Sequence, residues 1–357
     1  MRVHVAFTPA VPLVVALDVA LGLILASPVI VGQIWGFLAP ALYSHEKRVV
    51  IPVLVAMVAM FVWRLARNLP RLARLTFVRK IYPSVRYHLA TDTSPSVIGA
   101  DELHATTGAR GDGIKIGIVD DGVDSTNPFL NPADYSYPAG FPKGGRKWTT
   151  PKVIVARAFA PATSAYANAK LPFDPELSDH GIHVAGIAAG NNNTPTRTGS
   201  FRLSGIAPRA YLGNYKALSV PSDFGANGNS PELAAAIEAA VRDGMDVITL
   251  SLGETEIEPS RDLVARALNA AADAGVVSAV SAGNDFGELG FGSITSPANA
   301  TKAIAVAASS GGHGSPDVDN IADFSSAGPT PYSLIFKPDV TAPGESVASA
   351  APGGGFV

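Results

Sequence analysis

Short apolar runs alternate with amphipathic helical stretches between residues 113 and 309, and this alternation restricts the fold more than any other feature. The apolar runs are GIKIGIV (Gly113–Val119), DVITLSLG (Asp246–Gly253), VVSAV (Val276–Val280) and AIAVAAS (Ala303–Ser309). The predicted helices are PELAAAIEAAVRDG (Pro231–Gly244), with Ser230 as N-cap, and SRDLVARALNAAADAG (Ser260–Gly275). Strands that alternate with helices predict an α/β fold with a mostly parallel sheet covered on both faces.

Polar residues follow several of the predicted strands. Asp120 and Asp121 follow the first strand, Ser251 lies at the end of the second, and Ser281–Asn284 follow the third. The stretch DHGIHVAG places His180 at the start of a further predicted helix. Because functional residues of parallel sheets gather at the carboxyl ends of strands, we expect an acid, a base and a hydrogen-bond donor to converge there.

The two histidines of DHGIHVAG, His180 and His183, allow a metal-binding or a catalytic interpretation. Zinc-protease helices space two histidines by four residues with a glutamate between them, and that pattern is missing. The chain has no cysteine, which excludes disulfides, a thiolate nucleophile and Cys-ligated zinc. No metal site is therefore predicted. His180 is predicted to accept a proton with Asp120 or Asp121 orienting it, whereas His183 is predicted to be packed and hydrogen-bonded.

Five motifs occur in an order that resembles the subtilisin-like serine proteases (subtilases, peptidase family S8). They are IGIVDDGVD, DHGIHVAG, SLG, SAGND and KPDVTAPG, and FSSAGP (Phe324–Pro329) resembles a further family segment. The resemblance covers about residues 95–357. It implies a three-layer subtilisin-like fold and peptide hydrolysis through an acyl-enzyme.

The resemblance also implies roles for individual residues. Asp120 corresponds to the catalytic aspartate, His180 to the catalytic histidine and Asn284 to the oxyanion asparagine. Two segments are implied to bind substrate: the edge Ser251, Leu252 and Gly253, and the pocket wall Ser281, Ala282 and Gly283. Substrates would be peptides or proteins, the protein a monomer, and no cofactor would be required. Structural calcium is common among relatives, but its ligands are not identified here.

The sequence departs from the family pattern in three ways. Ile182 replaces the usual threonine, Asp121 replaces the usual serine or threonine, and the Gly-Thr-Ser nucleophile motif does not occur in the 357 residues. The sequence offers no convincing substitute among Ser325, Ser326, Ser346 and Ser349. We therefore expect a protease chain truncated before its nucleophile, with a fold incomplete at its C-terminus. The alternative is a membrane-anchored, non-catalytic peptide-binding module, against which the intact Asp120, His180 and Asn284 argue.

Residues 1–80 differ from the rest in charge and hydropathy. Residues 1–90 carry 10 Lys/Arg and 2 Asp/Glu, whereas residues 91–357 carry 17 and 28. Residues 19–44 have no charge, which is long enough to cross a bilayer, and the apolar run 49–63 is followed by arginines at 64, 67, 71 and 74. These features predict a membrane-associated segment.

The expected domain organisation is a membrane segment at 1–80, a propeptide-like junction at 81–100 and a catalytic domain at 101–357. The arginines favour a cytoplasmic body by the positive-inside rule, whereas the family resemblance favours an envelope or secreted one. The side of the membrane thus stays open. Nucleic-acid binding is not expected, since the positive charge is confined to the apolar segment. Nucleotide binding through the glycines of RGDGIKIG is a weak third interpretation, because these glycines precede a strand whereas a phosphate loop follows one.

Overall fold

The computed structural model describes residues 3–7, 78–83, 94–196, 202–222, 225–310 and 320–357. They belong to two units, residues 1–87 and 88–357, whose boundary falls within the predicted 81–100 junction. In the first unit, β1 (Val3–Phe7) pairs antiparallel with β2 (Val78–Pro83). The charge-free stretch 19–44 and the apolar run 49–63 of the predicted membrane segment lie outside the described residues. Within the described ranges, no helix has the length and apolar character needed to cross a bilayer.

The second unit contains six helices and fifteen strands among its described residues. The helices are α1 (Ser94–Val97), α2 (Ala100–Thr107), α3 (His180–Ala189), α4 (Ser230–Asp243), α5 (Leu263–Asp273) and α6 (Phe286–Leu289). The strands before α4 are β3 (Lys115–Asp120), β4 (Lys143–Gly144), β5 (Val153–Ala158), β6 (Thr194–Pro195), β7 (Arg202–Leu203), β8 (Tyr211–Lys216), β9 (Val220–Ser222) and β10 (Gly225–Asn227). The strands after α4 are β11 (Val247–Leu250), β12 (Val277–Ser281), β13 (Ile304–Ser310), β14 (Asn320–Ile321), β15 (Val340–Pro343), β16 (Ala350–Ala351) and β17 (Gly355–Phe356).

The central sheet has the order β14-β13-β12-β11-β3-β8-β5-β4, and β15 also pairs with β13. Every pairing in it is parallel except that of β13 with β14. The chain builds the β8 and β5 side first and then crosses β3 to build the β11, β12 and β13 side. This reversal beside β3 is the point where open α/β sheets form their sites, at the carboxyl ends of the strands.

The side chains of β3 pack into two separate hydrophobic clusters, one on each face, because side chains alternate between the faces of a sheet. Ile116 and Ile118 pack with α3, whereas Val119 packs with α4 and α5. Helices therefore lie on both faces, and the predicted α/β fold with a mostly parallel sheet is confirmed.

The two helices predicted after residue 229 exist, but both begin elsewhere than expected. Helix α4 has Asn229 as its N-cap, and the predicted cap Ser230 is its first residue. In the second case residues Pro259–Arg261 form a separate 3₁₀ turn, and Asp262 caps α5 by accepting a hydrogen bond from the Ala265 N–H at 3.0 Å. The capping carboxylate decides where α5 starts, since it satisfies an N–H that lacks a partner in the first turn.

Candidate active site

The carboxylate of Asp120 and the imidazole of His180 are in direct contact. Asp120 is the last residue of β3 and His180 the first of α3, so a strand end and a helix start hold them rigidly. The Nδ1–H of His180 donates to both oxygens of Asp120, at 2.8 and 3.0 Å. The Asp120 side chain is 1% exposed and that of His180 is 48% exposed. A buried acid thus orients a base whose far side is open to the cleft.

The electrostatics of this pair favour a protonated imidazole in the unliganded site. The hydrogen bond and charge of Asp120 raise the pKa of His180 to about 9, against the opposing effect of burial, and the charges of Asp121 and Asp179 add to the rise. The Nδ1–H bond to Asp120 also fixes the tautomer of the neutral ring, which leaves the lone pair on Nε2. The ring can therefore accept a proton at Nε2 once it is neutral.

His183 has a different environment although it is only three residues away. Its Nε2–H donates to the carbonyl oxygen of Val347 at 3.1 Å, and burial lowers the pKa of the ring. Among the described residues no group of three or more His, Asp or Glu side chains is arranged to hold a metal ion. The two histidines do not form a shared ligand pair.

Asn284 lies in the turn that follows β12. Gly283 makes this turn possible: it has φ of 113°, and a Cβ there would lie 2.5 Å from Cγ2 of Thr295 and 2.7 Å from Oγ of Ser326. The Asn284 side chain is exposed and makes no hydrogen bond to another described residue. It borders a groove of about 460 Å³. Its amide is therefore free to donate to a ligand.

The groove beside Asn284 runs along a half-buried part of the central sheet. It lies on the α3 side, where Val184 and Ile187 form one wall and alternate residues of the strands form the floor: Thr249, Ala279, Ser281, Val306 and Ala308. The opposite face of the same strands is buried under α4 and α5. Parallel sheets are normally covered on both faces, so this groove is an uncovered apolar surface.

A larger cleft of about 780 Å³ is lined by His180 and by the predicted substrate edge. Ser251, Leu252 and Gly253 follow the last residue of β11 that pairs with β12, and Ser251 lines both the cleft and the groove. The Oγ of Ser281 donates to the carbonyl of Leu252 at 3.1 Å. The two predicted substrate-binding segments are therefore adjacent.

The pocket-wall residues differ in what they offer a ligand. Ser281 and Gly283 are partly buried and line the groove. Ala282 is 1% exposed, its N–H donates to the carbonyl of Val306 at 2.9 Å, and its carbonyl accepts from the Thr295 N–H at 3.0 Å. The structure thus leaves Ala282 no free main-chain group, because neighbouring segments already use both.

Sequence reasoning missed one wall of the cleft. It consists of the hairpin strands β9 and β10 with residues Gly228–Ser230. Segments as short as three residues carry no periodic pattern, so only the tertiary structure reveals them.

A profile described as "Peptidase_S8: Subtilase family" matches residues 111–355. Subtilisin E of Bacillus subtilis (strain 168) is 31% identical over 285 residues, which cover 77% of this chain and 60% of that protein. The subtilisin-like protease SBT2.1 of Arabidopsis thaliana is 36% identical over 203 residues, which cover 49% of this chain and 23% of that protein.

Among solved structures, sphericase is similar with a TM-score of 0.51 and 28% identity, over 72% of this chain and 76% of that one. The chain belongs to the subtilase family, whose members named above are proteases. A second profile, described as "Sec-independent protein translocase protein (TatC)", matches residues 2–66.

Proposed function

We propose that this site hydrolyses peptide bonds as a subtilisin-type serine endopeptidase. The observation that supports this most strongly is the contact of 2.8 Å between Nδ1 of His180 and Asp120, two residues of the family's motifs that lie 60 positions apart. In the proposed reaction a serine hydroxyl attacks the substrate carbonyl while Nε2 of His180 takes its proton. Asp120 keeps the imidazole oriented and stabilises its charged form, and the Asn284 amide donates to the developing oxyanion.

The second half of the reaction returns the proton. His180 protonates the leaving amine, which departs and leaves an acyl-enzyme. Water then attacks this ester with His180 again as base, and the serine is regenerated. Substrate would lie along Ser251–Gly253 as an added strand, with its side chains in the cleft. This chemistry uses side chains alone, and calcium binding stays a prediction without assigned ligands.

The proposal also needs a nucleophile, and the serines near the site are engaged elsewhere. Ser325 accepts a hydrogen bond from the Ala308 N–H, Ser326 accepts one from the Asp285 N–H, and Ser349 donates to the carbonyl of His183. Every hydrogen bond of the His180 ring to a described residue runs through Nδ1. We propose that the reacting serine begins a small-residue helix that packs in the apolar groove between α3 and the strands.

A fusion experiment tests this function. The chain is extended after Val357 by a segment that carries Gly-Thr-Ser-Met-Ala and an apolar helix, and the protein is treated with a fluorophosphonate probe and a peptide substrate. We expect labelling and cleavage only with the added segment, and loss of both when its serine is replaced by alanine. Labelling of the unextended 357-residue chain, or a folded but inert fusion, would contradict the proposal.

A non-catalytic peptide-binding module is the second candidate. It is favoured by the open cleft beside Ser251–Gly253. Calorimetric titration of the unextended chain with an uncleaved peptide distinguishes the two functions. Tight binding without turnover in either the chain or the fusion would establish the module and exclude the enzyme.

We also propose that residues 1–80 associate with a membrane. The charge-free stretch 19–44 and the similarity of residues 2–66 to a translocase protein support this. Co-flotation of the chain with vesicles, compared with a variant that begins at residue 94, measures the association. Protease accessibility of the body in intact cells determines its side. Equal behaviour of the two chains in flotation would reject the attachment.

A further inference from the structure

Asp121 is a buried carboxylate placed directly beneath the start of α3. Its side chain is almost inaccessible, with 3% exposure of the residue. One oxygen, Oδ2, accepts from the N–H groups of Asp179 at 3.1 Å and His180 at 3.0 Å, and Oδ1 accepts from Gly181 at 2.7 Å. Three of the N–H groups at the start of the helix thus share one carboxylate.

The main chain of Asp121 holds the other member of the catalytic pair. Its N–H donates to Oδ1 of Asp120 at 2.8 Å, and its carbonyl accepts from Oγ of Ser178 at 2.5 Å. Asp121 therefore bonds to the carboxylate of Asp120 on one side and to the backbone of His180 on the other.

Glycine makes this close approach possible. A Cβ at Gly181 would lie 2.8 Å from Oδ1 of Asp121 and 2.5 Å from the carbonyl oxygen of Gly122. Such distances are too short for any side chain, so the helix start and the Asp120–Gly122 turn depend on each other.

A carboxylate suits these contacts better than a neutral capping side chain. The N-cap residue Asp179 makes no side-chain cap bond to α3, and Asp121, the residue that follows β3, supplies the cap instead. Asparagine or serine would offer one acceptor oxygen, whereas Asp121 offers two. Burial and the charge of Asp120 raise the pKa of Asp121 to about 7, and the hydrogen bonds from the N–H groups of Gly181 and His180 oppose this rise. The charged groups that interact electrostatically with the Asp121 carboxylate are Asp120, His180 and Lys216.

We infer that Asp121 is a positioning residue, which fixes the imidazole of His180 against Asp120 by holding the backbone of one and the carboxylate of the other. The inference rests on the proposed function, since it takes His180 as the working base. It concerns the geometry of the pair before any substrate binds, so hydrolysis is not needed to test it.

The test compares Asp121→Asn with the matched control Asp179→Asn in the full chain. Each variant removes one carboxylate that raises the pKa of His180, but only Asp121 bonds to the helix start. NMR of ¹⁵N-histidine-labelled protein, with His180 assigned from His180→Gln among the seven histidines, gives the ring titration and the low-field Nδ1 proton.

We expect Asp121→Asn to lower the pKa of His180 by about one pH unit or more and to abolish or shift the low-field proton. Asp179→Asn should lower the pKa less and keep that proton. If Asp121→Asn keeps the low-field proton unshifted, whatever the change in pKa, only the charge acts and the inference is wrong. A role confined to fold stability would lower the melting temperature without moving either signal.

A measurement on the unaltered chain covers the case in which Asp121→Asn does not fold. The first N–H groups of a helix normally lack partners and exchange with solvent quickly. We expect the amides of Asp179, His180 and Gly181 to exchange at least about tenfold more slowly than the first amides of α4, whose N-cap makes no side-chain bond. Equal exchange would overturn the inference while leaving the proposed hydrolysis untouched.

Discussion

The Asp120–His180 half of the site and the Asn284 half differ in how firmly the protein holds their side chains. Asp120, Asp121 and the start of α3 form a connected set of hydrogen bonds between buried or half-buried groups. The Asn284 amide, by contrast, is exposed and borders an uncovered groove.

This difference suggests that the acid–base pair is formed in advance, whereas the oxyanion side depends on what covers the groove. Preorganised groups are effective in catalysis because they need no rearrangement as charge develops.

Replacing His180 by alanine in the extended, active protein should remove nearly all turnover. We expect kcat to fall by about 10⁶-fold, which is the size known for subtilisin itself. Stopped-flow or initial-rate assays with a peptide substrate measure the loss. Peptide affinity should change little, and turnover retained near the wild-type rate would mean that His180 does not act as the base.

Replacing Asn284 by alanine should slow turnover less, by about 10²–10³-fold in kcat, again the range known for subtilisin. Because the Asn284 side chain makes no hydrogen bond to another described residue, the free energy of unfolding should change by less than about 0.5 kcal/mol. Kinetics and chemical denaturation of the same variant test both statements. A folded variant with full activity would remove Asn284 from the mechanism.

Core truncations should distinguish the covered and uncovered parts of the α3-side face. Ile118 is 1% exposed and packs with α3, so Ile118→Ala should cost about 2–5 kcal/mol in unfolding free energy. Val306, on the groove floor, is only partly buried, and Val306→Ala should cost less than about 1 kcal/mol.

The cost of Val306→Ala in unfolding free energy provides a sharper test. If a helix fills the groove in the extended protein, Val306→Ala should cost more there than in the unextended chain, while the cost of Ile118→Ala stays the same. Urea denaturation of the four variants and their two unsubstituted parents gives the comparison. An unchanged cost at Val306 would mean that the added segment packs elsewhere.

The pH dependence of the unfolding free energy should show the contribution of the Asp120–His180 pair. The pKa of His180 is raised from 6.5 to about 9 in the folded state, so its contribution is complete below about pH 6.5 and is lost as the pH rises through about 9. Since half of the ring is exposed, solvent screening limits this contribution to about 1 kcal/mol.

The difference in unfolding free energy between wild type and His180→Ala, measured from pH 6 to pH 9.5, isolates this effect. The comparison is needed because Lys152 acts in the opposite direction: burial lowers its pKa to about 7, which stabilises the fold as the pH rises. A difference that grows with pH would contradict the assigned direction.

The sequence alone determined the strands β3, β11, β12 and β13 and the carboxyl-end positions of the polar residues, whereas only the family resemblance chose Asp120 over Asp121 as the partner of His180. The strands and these positions follow from local patterns: apolar runs set the strands, and a parallel sheet brings strand ends to one edge. The helix starts were less predictable, since α5 begins where the Asp262 side chain reaches a free N–H and α4 begins after Asn229 with no side-chain cap at all.

Only the tertiary structure decided how Asp121 is used and where the sheet is left uncovered. The sequence marks Asp121 as an unusual neighbour of Asp120, but its three bonds come from residues 58–60 positions away. Likewise, the groove exists because α4 and α5 both pack on the other face of the strands. Residue pattern fixes which side chains are buried, whereas contacts between distant segments fix which buried groups find partners.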